Sequence, residues 1–174
     1  MRRATLLGVA LVFGLGAAGC GGGGSQSSAT QAATTASTTT KANSSFAKTM
    51  HDDVDAFTQA LGTVTATCPV PKVTLQTMNE CKTSMLALIR VDDTVMKDLD
   101  NLDVPAQAET AVTQLRDSLT ALDNAQKAII RKFIDKGDVS GFKNAGGLGS
   151  PIDNAINATK DAFAELQLLA ASGG

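Results

Sequence analysis

With 174 residues, the chain has room for one modest domain, and its formal charge of −2 sets 15 Lys and Arg against 17 Asp and Glu without a basic run. Six Phe with no Tyr or Trp offer no stacking platform, so the composition argues against nucleic acid as a partner. The same lack of basic runs argues against a polybasic grip on anionic lipid.

The chain opens with Arg2 and Arg3, continues through an apolar run from Ala4 to Phe13, and reaches Cys20 through the small residues Ala17, Ala18 and Gly19. Positive charge, apolar run and small residues in that order are the pattern of a secretory leader, here over residues 1–19. The apolar run is shorter than the ~20 residues of a membrane-spanning helix and is interrupted by Gly8, Gly14 and Gly16. The arrangement resembles the lipobox of bacterial lipoproteins, of the actinobacterial type, with Ala17 where Leu is usual and Leu15 two places earlier. The resemblance covers residues 1–20. It implies cleavage before Cys20, a covalent diacylglycerol on its thiol, and anchorage to the extracytoplasmic face of the cell membrane. Two acyl chains give a stable hold where one is marginal. Ordinary secretion with an unmodified Cys20 is the alternative.

Residues 20–45 consist of almost nothing but Gly, Ser, Thr, Ala and Gln, with Lys41 the single charge, and predict a disordered tether. Chain statistics give it a span of roughly 25–30 Å.

Residues 46–172 carry helical spacing throughout and predict an all-α domain, a four-helix antiparallel bundle. The first helix is expected over 45–66, capped by Ser44 or Ser45, with Phe46, Met50, Val54, Phe57, Leu61 and Val64 inward and Asp52, Asp53 and Asp55 mostly outward. Pro69 and Pro71 end it. The second is expected over 74–100 on a stripe of Met78, Cys81, Met85, Leu88, Val95 and Leu99, with a capping box at Thr77 to Glu80. The third opens at Asp103-Val104-Pro105 and runs to Gly137, with a bend expected near Asp123 to Gln126, where its stripe thins. One or two further turns are expected over Asp138 to Asn144. The last helix starts at Ser150-Pro151-Ile152-Asp153, which reads as cap, first-turn proline and reciprocal acid.

Cys68 and Cys81 remain once Cys20 is assigned to lipid. In an oxidising compartment an even pair reads as a disulfide, stapling the corner between the first two helices. Closing a loop of about 14 residues is worth about 3 kcal/mol on the chain-entropy model.

Two residues stand out as candidates for a ligand site or polar pocket, Asp92 and His51. Asp92 fills a heptad place on the apolar stripe of the second helix, where an ionised carboxylate is costly unless paired. Three arrangements accommodate it: a Lys or Arg from a neighbouring helix, a small polar pocket, or a slight rotation that brings Ile89 and Met96 inward and leaves Asp92 at the edge. His51, the sole histidine, lies beside Met50 and before two acids. The combination could serve haem or a metal, but no C-x-x-C-H attachment site exists and the solvent side of an amphipathic helix is its ordinary place. Met50, Met78, Met85 and Met96 are read as core fillers rather than copper ligands. The acids from Asp98 to Glu109 fail as a calcium loop, because Leu102 takes a ligand place and Asp103 stands where glycine is needed. No metal site and no cofactor beyond the diacylglycerol on Cys20 is expected.

Neither a G-x-S-x-G elbow nor an H-E-x-x-H helix nor a phosphate loop ending in Lys-Ser/Thr occurs, so the chain is read as no enzyme. The expectation is a cell-envelope lipoprotein whose helical domain serves protein interaction or an envelope structural role. The alternative is a carrier of a small ligand, whether an apolar molecule, haem or a metal. A solidly packed core favours the first, and a lined cavity of a few hundred Å³ the second.

Overall fold

The computed structural model describes residues 29–147 and 149–172. The leader at 1–19, Cys20 and the first part of the tether lie outside the described residues. All regular structure described is helical, in five α-helices: α1 (Ala29–Thr67), α2 (Leu75–Asn101), α3 (Glu109–Ile129), α4 (Val139–Ala145) and α5 (Pro151–Ala171).

The largest departure from expectation lies in α1, which begins at Ala29 rather than at Ser44 or Ser45. Coil expected over 29–45 is replaced by helix. Propagating a helix adds one hydrogen bond per residue fixed, and from Ala29 to Leu61 there is neither Gly nor Pro to stop it. Phe46 of this helix is buried, 1% exposed.

The α2 cap is a reciprocal pair one turn earlier than expected: the Thr74 hydroxyl accepts from Thr77 N–H, and Thr74 N–H donates to the Thr77 hydroxyl at 3.0 Å. Thr77 thus closes a capping box instead of opening one. Pro105 precedes a short 3₁₀ turn, Ala106–Ala108, which leads into α3. No break occurs at Asp123 to Gln126. The irregularity comes later, as a π-helical stretch over Ile130–Ile134 with Asp135 N–H donating to Ile130 C=O at 2.9 Å. Ile129, Ile130 and Ile134 are all buried along it.

Gly137 follows with φ +66°, a conformation glycine adopts without strain. Asp138 caps α4 by accepting from Gly141 N–H at 2.8 Å. A Cβ on Gly141 would lie 2.4 Å from the Phe133 ring, so this turn packs directly on backbone. α5 starts with Ser150 accepting from Asp153 N–H at 3.3 Å and Asp153 accepting from Gly149 N–H at 2.9 Å.

α3 packs most extensively on α5, and α1 on α2, while α1 also meets α5 and α2 also meets α3. Two apolar clusters result. The larger runs along the long helices from Phe46 to Leu166 and includes Phe57 and Phe163, their rings 5.3 Å apart. The smaller gathers Val73, Met78, Met85, Ile89, Ile129, Ile134 and Phe142 around Cys68 and Cys81.

Candidate functional site

α2 meets both its neighbours with acids. On the α3 side, Asp92 is 2% exposed, and the fully buried Gln126 donates Nε2–H to Asp92 Oδ2 at 3.4 Å. One turn back on α3, Asp123 accepts from Lys127 Nζ at 2.7 Å through Oδ2. Asp92 Oδ1, Asp123 Oδ1 and Gln126 Oε1 are buried without a hydrogen-bond partner. Burial first, then the charges of Asp123 and Asp93, push Asp92 up to about 7, against the opposing hydrogen bond from Gln126. Asp92 is therefore inside the core, not at its edge, and its contact is an amide rather than a Lys or Arg.

On the α1 side, Asp53 is 5% exposed. The expectation that it faces outward is overturned, and Val54 takes the half-buried place beside it. Asp98 of α2 acts on it by charge, and Asp53 Oδ2 is buried without a hydrogen-bond partner. Burial, then Asp98 and Asp52, push Asp53 up to about 7.

His51 stays on the solvent side of α1, its side chain 70% exposed and Nε2 3.6 Å from Asp55 Oδ2. Met50 beside it is fully buried, and the two border one open surface hollow of about 260 Å³ together with Ala47, Gln167, Ala170 and Ala171. Met78 and Met85 are buried and Met96 half-buried. Among the described residues no three His, Cys, Asp or Glu side chains converge as a metal set.

Cys68 and Cys81 lie at disulfide distance with Cα atoms 5.0 Å apart, inside the usual range for a bridge. Against this corner lies a half-open cleft of about 320 Å³, lined by Leu61, Val64, Met85, Ile129, Phe142 and Ile156 among others, with Thr65 and Asp153 as polar groups. A second hollow of about 200 Å³ shares Ile129 and Ile152 with it. Every α-helix contributes a wall. Phe142 of α4 and Gly146 just after it form one side of the cleft. No described helix is long and apolar enough to cross a membrane.

Comparison with protein-family models, with curated proteins and with solved structures returns no match.

Proposed function

We propose that this chain is an envelope lipoprotein, anchored through diacylglycerol on Cys20, whose non-catalytic helical domain binds a small apolar molecule in the cleft beside the Cys68–Cys81 corner. The four long helices are read as an antiparallel bundle, with α4 closing one end. The observation that carries the ligand reading is the cleft itself. Its volume of about 320 Å³ is that of a small-molecule pocket, and its lining is aliphatic and aromatic with two polar groups to orient a ligand. Haem is not favoured, since His51 is remote from those walls, and the inventory of titratable groups favours no reaction.

The membrane anchor is supported by the leader pattern ending at Cys20. A second reading, recognition of another envelope protein, draws on the same place: Phe142 and Gly146 of the glycine-rich connection form part of the cleft wall.

Native mass spectrometry of protein purified from its own host tests both readings. The expected result is a mass gain of two acyl chains on Cys20, plus a dissociable apolar ligand that an Ile156→Trp variant, which fills the cleft, no longer retains. Protein isolated without ligand, with the wild type and Ile156→Trp binding N-phenyl-1-naphthylamine equally, would overturn the carrier reading. A crosslinked host protein lost on Phe142→Ala would put the second in its place.

A further inference from the structure

Four acceptor oxygens are buried in the α1–α2 and α2–α3 interfaces without donors: Asp53 Oδ2, Asp92 Oδ1, Asp123 Oδ1 and Gln126 Oε1. Ionised carboxylates only accept hydrogen bonds, so these groups cannot satisfy one another as they stand. Leaving them bare is costly in a packed interior. The missing donor is small, because Asp53, Asp92 and Gln126 are all at least nine-tenths buried.

A metal ion is the first alternative. Calcium takes six to eight oxygens, and magnesium requires a near-octahedral set. Two carboxylates and one amide supply too few, and one of those carboxylates is already held by Lys127. A proton fits without any further ligand. On Asp92 Oδ1 it turns an acceptor into a donor toward Gln126 or Asp123. On Asp53 Oδ2, buried and without a partner, it likewise supplies the donor that is lacking.

We propose that Asp53–Asp98 and Asp92–Asp123–Gln126 are two proton-binding sites that latch α2 to α1 and to α3, so that the domain tightens in acid and loosens as the medium becomes alkaline. The charges acting on Asp53 are Asp98 across the interface and Asp52 on its own helix, itself paired with Lys48. Those acting on Asp92 are Asp123 from α3 and Asp93 from α2, with Gln126 opposing them. Asp98, Asp52, Asp123 and Asp93 each raise the affinity for a proton.

The direction of the effect follows from linkage. Both acids hold their proton up to about pH 7 in the folded chain, whereas in the unfolded chain they release it near 3.8. Between those limits the folded state binds more protons, so stability falls as pH rises and the loss is complete above about pH 7. Each site multiplies the unfolding constant by up to roughly tenfold per pH unit in that window.

Urea titrations at pH 5, 6, 7 and 8 test this on the purified disulfide-intact protein carrying His51→Gln, which removes the only imidazole. The midpoint is expected to fall steadily from pH 5 to pH 7. Asp53→Asn and Asp92→Asn each remove about tenfold per unit from the slope, and each raises the midpoint at pH 8. A midpoint flat across the range, or Asn variants that keep the full slope, would overturn the proposal. Carboxyl ¹³C titration by NMR of the chain with both acids intact provides a check independent of variant folding: inflections of Asp53 and Asp92 near pH 4 would overturn it. Recovery of the pH 8 midpoint by millimolar calcium or magnesium would likewise replace the proton with a metal ion.

Discussion

The two apolar clusters are built on different principles. The larger, from Phe46 to Leu166, lies between helices long enough to interlock over several turns, and Leu115, Leu122 and Leu166 in it are completely buried. The smaller lies where helices end, among a 3₁₀ turn, a π-helical stretch and the seven residues of α4. Short elements cannot cover one another fully. This end combines a cysteine staple with a cleft of about 320 Å³, and the larger cluster has no such staple. Interlocking helices close the one region, and the other is stapled beside the cleft proposed to take a ligand.

The sharpest way to break that division is to cut a side chain from the larger cluster. Leu115→Ala should cost about 3 kcal/mol or more in urea unfolding, because it empties a site bounded by rigid helices. It should leave N-phenyl-1-naphthylamine binding in the cleft intact wherever the protein remains folded. Loss of binding at unchanged folding would show that the two regions are one unit.

Replacing Cys68 and Cys81 together by Ala should cost about 3 kcal/mol. Hydrogen exchange is the informative measurement here. Amides around Met78, Ile129 and Phe142 are expected to exchange faster, while those around Phe57 and Leu119 keep their protection. Uniform acceleration would contradict a local staple.

Ser150→Ala is a smaller probe, expected to cost about 1 kcal/mol through loss of the α5 cap. Since Ser150 caps the turn that carries Ile152 and Asp153 of the cleft wall, the same variant should loosen Ile152 and weaken probe binding modestly. Unchanged thermal unfolding would mean that Asp153 and Gly149 alone hold the turn.

Much of this architecture is written locally. Pro69 and Pro71 end α1 wherever the chain is placed, because proline lacks a donor and restricts its predecessor. Ser150-Pro151 begins α5 for equally local reasons, and the glycine at 137 supplies the left-handed turn that stops the preceding helix. The pairing of Cys68 with Cys81 was legible from their number and from the short span between two helix ends.

Burial of individual acids was less legible. Asp53 stands three residues after Met50 and four before Phe57, so its spacing suits the apolar face as well as that of Val54 does. A 3.6-residue period leaves such neighbours undecided until the partner helix fixes the rotation. Gln126 announced itself only as a gap in the third stripe, and the gap was filled by a polar contact to Asp92 instead of a bend. The π-helical stretch was invisible because no residue preference marks it.

By itself, the sequence determined that residues from Phe46 onward would be helical, where α2 and α5 would start, and which two cysteines would meet. Those features depend on neighbours within a turn or two, where covalent geometry and propensity dominate. Tertiary structure alone decided that Asp53 and Asp92 are buried without basic partners, and that the α4 end leaves a cleft. Burial and cavities depend on how faces from distant helices fit together, and no local pattern contains that fit.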